Sequence, residues 1–261
     1  MATIYWFSGT GNSYHAARSI GDRIGDTRLV RMTDSLRDKG GTLADDVVGF
    51  VFPVYAGGVP VLAAELLERA SIEADYLFCV ATYAGRYGHA LRQFEKLAAA
   101  AGQRPDALFD IVMPTNTRLN EEPREPGPKA SAKLEQSEAA LESVAAGVRD
   151  RVTLLEGRSG GLYGLLARMV YPLFSKGIRK ADNAFGVTDD CTSCGICAKV
   201  CPTSDITMDE AGRPVWHNRC EGCNACISFC PEHAIYKGRR PEKRYGYRHP
   251  EVTAGYLIRN E

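Results

Sequence analysis

Nine cysteines are spread unevenly along this chain, and eight of them fall between Cys191 and Cys230. Cys191, Cys194, Cys197 and Cys201 follow the spacing C-x2-C-x2-C-x3-C and lead into Pro202. Cys220, Cys223, Cys226 and Cys230 repeat the pattern into Pro231, each position shifted by 29 residues, and Ile206 recurs as Ile235. A repeat at fixed offset implies one structural unit used twice and related by pseudo-symmetry. Clustered thiols of this kind either ligate metal or form disulfides. The first residues, MATIYWFSGTGNSYHAA, have no basic leader and break their apolar run at Ser8-Gly9, so a reducing, cytoplasmic setting is expected. There disulfides are disfavoured and metal ligation is favoured. A zinc site takes four ligands in two pairs and would leave cysteines over.

Three thiolates on one tight loop can reach three irons of a cubane. The chain then turns at Cys-Pro into a helix, which aims the fourth sulfur at the neighbouring cluster. The spacing therefore predicts two [4Fe-4S] clusters, one on Cys191, Cys194, Cys197 and Cys230, the other on Cys220, Cys223, Cys226 and Cys201. Gly195, Ala198 and Ala225 are small enough to let backbone amides approach the sulfides. Few aliphatic residues lie between the cysteines, so the clusters are expected to serve as the core of this block and to couple iron binding to folding. Cys79, in the apolar run YLFCVAT, reads as a buried small hydrophobe instead.

A second group of residues suits an anion. Ser8-Gly9-Thr10-Gly11-Asn12-Ser13 runs from a strand straight into a helix, and its hydroxyls and exposed amides make a phosphate cradle. It has neither the lysine of an ATP-binding loop nor the GxGxxG spacing of a dinucleotide site. A singly esterified phosphate bound by neutral donors fits FMN. Two further loops, Pro53-Val54-Tyr55-Ala56-Gly57-Gly58-Val59-Pro60 and Thr82-Tyr83-Ala84-Gly85-Arg86-Tyr87-Gly88, pair glycines that let backbone approach a flat ring with tyrosines that can stack on it. The plain alternative is a Gly-rich turn and two ordinary βα turns with surface aromatics.

The elements that must position these loops alternate along residues 1–155. Strands are predicted at Thr3–Phe7, Leu29–Met32, Val47–Phe52, Tyr76–Thr82 and Leu108–Met113. Helices are predicted at Asn12–Ile24, Pro60–Arg69, Gly88–Ala101 and Ala130–Arg149. Continuously apolar strands such as VVGFVF suit a parallel sheet covered on both faces, and the alternation implies a doubly wound α/β domain. Val47–Ala64 is free of charge for eighteen residues, but Pro53, Gly57, Gly58 and Pro60 rule it out as a membrane helix. Thr115–Lys129 reads as an exposed loop at the carboxyl end of the fifth strand, where ligands bind. The segment from 156 to 185 reads as a connecting helix whose apolar side chains need burial. The alternative for it is an amphipathic surface for a partner or a membrane face. The cysteine block extends over 186–240. A basic tail, 241–261, reads either as a solvated arm or as a docking strip for an acidic partner. Thirty-two basic residues balance thirty-two acidic ones, which argues against a nucleic-acid binder.

FSGTGNS together with PVYAGG and TYAGRYG resembles the flavodoxin family, and the tandem CxxCxxCxxxCP resembles bacterial two-cluster ferredoxins. In one chain they resemble the flavodoxin–ferredoxin fusion proteins of anaerobes, over nearly everything except about residues 119–180. The resemblance implies a flavodoxin-like, doubly wound five-stranded parallel sheet in the order 2-1-3-4-5, with a small C-terminal α+β two-cluster domain. It assigns the FMN phosphate to Ser8–Ser13 and the isoalloxazine to the Tyr55–Gly58 and Thr82–Gly85 loops, which carry tyrosine where flavodoxins commonly carry tryptophan. It implies electron transfer between the clusters and FMN, with redox proteins as partners; the residues themselves present no acid–base triad, and membrane contact is not expected. A reductase of a small acceptor, of quinone or corrinoid type, is the alternative, and an empty α/β docking module attached to a working ferredoxin is a third.

Overall fold

The computed structural model describes residues 1–37, 41–115, 126–155, 161–238 and 246–258. Most of the predicted Thr115–Lys129 loop and most of the cations of the basic tail lie outside the described residues. The chain divides into two compact units. One comprises Met1–Phe7, Asn12–Pro114 and Ala132–Pro172. The other joins Ser8–Gly11 and Thr115–Ser131 to Leu173–Glu261.

In the first unit, strands β1 (Ala2–Trp6), β2 (Thr27–Arg31), β3 (Gly41–Pro53), β4 (Ala70–Tyr83) and β5 (Ala107–Val112) form one parallel sheet in the order β2-β1-β3-β4-β5. This is the flavodoxin-like order expected from the sequence. The helices on its faces are α1 (Asn12–Ile24), α2 (Met32–Arg37), α3 (Val61–Arg69), α4 (Ala90–Ala100) and α5 (Pro128–Arg149). Every residue of β1 is buried, as a central strand between two helical layers requires. Phe50 and Phe52 of β3 both pack on Phe94 of α4, with ring centroids 5.3 and 5.8 Å apart. β3 and β4 are longer than their apolar runs, because Gly41–Asp45 pairs in register with Ala70–Ala74 beyond the core. Cys79 is fully buried in β4, and burial pushes its thiol well above the usual range, as a structural cysteine requires.

Helix α6 (Gly161–Gly177) follows, then a 3-10 turn, Ile178–Ala184. In the second unit, β6 (Phe185–Val187), α7 (Ile196–Val200), β7 (Ile206–Met208), β8 (Pro214–Trp216), α8 (Ala225–Ser228) and β9 (Ile235–Lys237) surround the cysteines. α9 (Ala254–Leu257) closes the described chain. β6 pairs antiparallel with β9, and β7 with β8. Among the described residues no helix is long and apolar enough to cross a membrane.

Gly49 of β3 lies beside Phe78 of β4, and a Cβ on Gly49 would collide with the Phe78 ring. Gly49→Ala should therefore destabilise the protein by about 1–3 kcal/mol, the usual range for overpacking a close-packed core. Urea unfolding measures this, and adding Phe78→Leu to the same chain should recover part of the loss. An unchanged midpoint in the single variant would show that the sheet absorbs the methyl group there.

Candidate functional site

The two halves of the cysteine repeat are built alike. Shifting by 29 residues maps β6 onto β8, α7 onto α8 and β7 onto β9. Left-handed backbone recurs at matching places: Ser193 and Gly222 (φ 57° and 66°), Gly195 and Asn224 (71° and 61°), Ser204 and His233 (51° and 53°). Non-glycine residues seldom adopt such angles, so their recurrence in both halves marks a loop shape held by its surroundings. The amide of Asp205 donates to Cys201 Sγ at 3.4 Å, and the equivalent amide of Ala234 donates to Cys230 Sγ at 3.3 Å. Gly222 N donates to Cys220 Sγ at 3.2 Å. Donors aimed at sulfur favour its thiolate form.

Cys197 feels Cys230, Cys194 and Cys191 electrostatically, in that order, and burial is the main reason its thiol is pushed up to about 11. Cys220 is likewise raised to about 11, by burial first and then by Asp205, Asp182 and Cys201. Burial holds Cys223 and Cys226 well above the normal thiol range, with Cys201 and Cys220 adding to both. Cys197 also adds to the rise at Cys226, and Cys197, Cys201 and Cys226 pack in one buried cluster with Ile206, Ile227 and Ile235. Cys201, Cys220, Cys223 and Cys226 also line one cavity with Phe185, Ile206 and Trp216. Among the described residues no three His, Cys, Asp or Glu side chains converge on a single ion.

Two buried carboxylates beside this group were not singled out from the sequence. Asp205 Oδ1 accepts from the amides of His217 (3.1 Å) and Arg219 (2.6 Å), and Asp182 Oδ2 accepts from Asn218 N at 2.7 Å. Burial raises the Asp205 carboxyl, the amides oppose it, and Asp182 adds to the rise. In sequence they are two ordinary acidic residues, with no spacing to mark them.

The Ser8–Gly11 loop belongs to the same compact unit as the cysteines. Gly9 packs against Cys223 so closely that a Cβ would collide with the Cys223 carbonyl oxygen. At Gly11 (φ 101°) a Cβ would lie 2.9 Å from Val252 and 3.0 Å from His249. His249 N donates to Thr10 O at 2.8 Å, and Gly11 N donates to Ser8 Oγ at 3.1 Å. The described part of the tail is therefore folded down, not a solvated arm: Tyr247, His249, Val252 and Leu257 are buried. Its Arg248 guanidinium lies 6.0 Å from the Phe229 ring centroid. Nothing in the sequence pattern announced this strap.

Of the remaining predicted positions, Asn12 Nδ2 donates to Pro114 O at 3.0 Å, and Ser13 Oγ lies 2.8 Å from Thr82 Oγ1, tying the first loop's helix to β4. Tyr55 and Gly58 exchange both backbone hydrogen bonds across Ala56 (φ 48°) and Gly57 (φ 75°), a tight turn with two left-handed central residues. Val54 N donates to Thr82 O at 2.9 Å, and His89 N donates to Gly57 O at 2.7 Å, so the Pro53–Gly58 and Thr82–Gly88 loops touch directly. Gly57 and Gly58 face α6: Cβ atoms there would meet Ala167 (2.5 Å) and the Tyr171 ring. Beside this contact, Tyr83, Gly85, Arg86, Tyr87 and Gly88 line an open cavity of about 400 Å³ with Gly161, Leu162 and Tyr163. A Cβ on Gly85 would meet nothing, so that backbone is open to a ligand.

Residues 190–235 match the 4Fe-4S dicluster domain family. A ferredoxin of Pyrobaculum islandicum is 39% identical over 51 residues, which are 19% of this chain and 47% of that protein. The chain thus spans about half the length of that relative. It spans all of a ferredoxin of Chlorobaculum thiosulfatiphilum, 33% identical over 64 residues and 21% of this chain. Two flavodoxin structures also match: that of Megasphaera elsdenii, at 17% identity (54% of this chain, 99% of that one, TM-score 0.31), and that of Streptococcus pneumonia TIGR4, at 17% (55% and 98%, TM-score 0.33). At these scores the architecture rests on the strand order itself.

The Ser13–Thr82 bond yields a prediction for the scaffold. Both hydroxyls are buried, so Ser13→Ala should cost about 1–3 kcal/mol by leaving its partner short of a bond. Ser13→Ala with Thr82→Val should cost less than the two single changes added together, as measured by urea unfolding. Strict additivity would show that the hydroxyls do not depend on each other.

Proposed function

The chain belongs to the ferredoxin family, and from that premise we propose that it is an electron-transfer iron–sulfur flavoprotein with two [4Fe-4S] clusters and FMN. Cys191, Cys194, Cys197 and Cys230 hold one cluster, and Cys220, Cys223, Cys226 and Cys201 the other. The cavity lined by Cys201, Cys220, Cys223 and Cys226 supports the second of these sets. Ser8–Ser13 takes the FMN phosphate. Pro53, Val54, Tyr55, Ala56, Gly57 and Gly58 flank the ring on one side, and Thr82, Tyr83, Ala84 and Gly85 on the other. Gly85 and Tyr83 border the cavity, which leaves room for a flat ligand there. When bound, the clusters supply one-electron steps, and the flavin supplies steps of one or two electrons.

The observation that carries the reading is the packing of Gly9 on Cys223. Gly9 is in the proposed phosphate loop and Cys223 is a proposed cluster ligand, and their contact within one compact unit supports the reading. The protein's own work is positional. Amides of Asp205, Gly222 and Ala234 donate to sulfur, burial keeps water from Cys201, Cys220, Cys223 and Cys226, and the Gly246–Ile258 strap holds the loop through His249. Cys194, the repeat counterpart of Cys223, is exposed. An external redox protein therefore docks near Cys194. The second reading, a reductase of a quinone- or corrinoid-type acceptor, draws on the open cavity at Tyr83–Gly88. Steady anaerobic turnover with such an acceptor would select it.

Anaerobic reconstitution should load about eight irons, two cubanes' worth. Gly9→Ala should then alter the EPR signal and potential of the cluster on Cys220, Cys223, Cys226 and Cys201, and leave the other unchanged. Cys201→Ser and Cys226→Ser should damage the same cluster, whereas Cys201→Ser and Cys197→Ser should damage different ones. Loss of one and the same signal in Cys201→Ser and Cys197→Ser would defeat the crossed ligation.

Thr10→Ala should weaken FMN binding by about 1.5–3 kcal/mol, the range for a hydrogen bond to a charged group. Riboflavin, which lacks the phosphate, should bind the variant and the parent alike. Fluorescence titration of both ligands makes the comparison, and equal losses would move the phosphate elsewhere.

A further inference from the structure

The Leu and Val side chains of α6, expected from the sequence to be buried, are among the most exposed apolar groups described. Leu162, Leu165, Leu166, Met169, Val170 and Leu173 are 74, 56, 51, 68, 54 and 75% exposed. They recur at i, i+3, i+4, i+7, i+8 and i+11, so they form one continuous stripe along the helix. The opposite face is already satisfied. Gly164 and Ala167 are buried, Gly164 against Gly88 and Ala167 against Gly57. Tyr171 Oη donates to Val59 O at 2.5 Å. The helix is thus held by its small residues while its large apolar residues face outward.

Charge indicates what the stripe meets. α6 contains no Asp or Glu, and its only charged residues are Arg168 and Lys176, both exposed. Arg179, which follows, is paired with Glu221 at 3.1 Å; Lys180 after it is exposed, and the next acid, Asp182, is buried. On the stripe's other flank the Arg86 guanidinium lies 5.4 Å from the Tyr163 ring centroid. A second copy packed stripe to stripe would set Arg168 and Lys176 against their own kind, with no carboxylate on the helix to neutralise them. An apolar stripe whose own helix carries cations and no carboxylate instead complements an anionic lipid surface. From Leu162 to Leu173 the helix advances roughly 17 Å, about half the hydrocarbon thickness, so it would lie in the interface and not span it.

We propose that the outer face of α6 docks the protein on the surface of an anionic lipid bilayer. This departs from the expectation of no membrane contact, and it does not depend on which cofactors the chain carries. The full-length protein should co-sediment with phosphatidylcholine vesicles containing phosphatidylglycerol, much less with phosphatidylcholine alone, and less as salt is raised. Leu166→Gln with Met169→Gln should weaken the binding by about tenfold or more. Arg168→Gln with Lys176→Gln should remove the preference for the anionic vesicles while leaving the apolar stripe intact. All four residues are exposed, and far-UV circular dichroism checks that the variants fold. Absence of vesicle binding by the parent protein would overturn the proposal. So would unaltered binding in both variants, or concentration-dependent dimerisation that the Leu166 and Met169 changes abolish without any vesicle binding.

Discussion

Gly9 has no side chain, and the carbonyl of Cys223 lies where one would be. This close approach constrains much else. It requires the loop after β1 to keep its shape against the turn that leads into α8, and it requires that turn to present Cys223 from a fixed direction. Gly11 meets the same demand one step on, against Val252 and His249, so the loop is held from two sides by residues more than two hundred positions away in sequence. A loop held this way is pre-formed, so the proposed phosphate would bind it at a lower ordering cost.

The repeat was legible because its geometry is local. A tight C-x2-C-x2-C loop needs left-handed backbone at set places, and the shift of 29 residues carries Ser193, Gly195 and Ser204 onto Gly222, Asn224 and His233. The sheet order was legible as well, since five apolar runs separated by helical stretches leave few arrangements. The extensions of β3 and β4 were hidden by Asp45, Asp46, Glu73 and Asp75, charges that argue for loop although the backbone pairs at Asp45 and Glu73. The packing of α6 was misjudged for a different reason. Its buried face consists of glycine, alanine and tyrosine, so hydrophobicity pointed to the wrong side of the helix. The His249 strap left no signal at all, because one buried histidine and one buried valine carry no period.

The repeat is symmetric in backbone and asymmetric in surroundings. Cys194 is exposed, and its counterpart Cys223 is buried beneath Gly9. Asp182 and Asp205 act on Cys220, whereas the charges acting on Cys197 are those of other cysteines. Equal loops thus place their sulfurs in unequal dielectric and charge environments, so two clusters held as proposed would differ in potential.

Each small sheet of the cysteine unit takes one strand from each half of the repeat, β6 with β9 and β7 with β8. The halves therefore complete one another instead of standing side by side. During synthesis the first half leaves the ribosome with β6 unpaired, and it stays so until Ile235 to Lys237 has been made some fifty residues later. The loop at Gly9 waits far longer, more than two hundred residues, for Cys223. In evolution, neither half could be shed while the other was kept, because the strand that pairs with each belongs to its sibling.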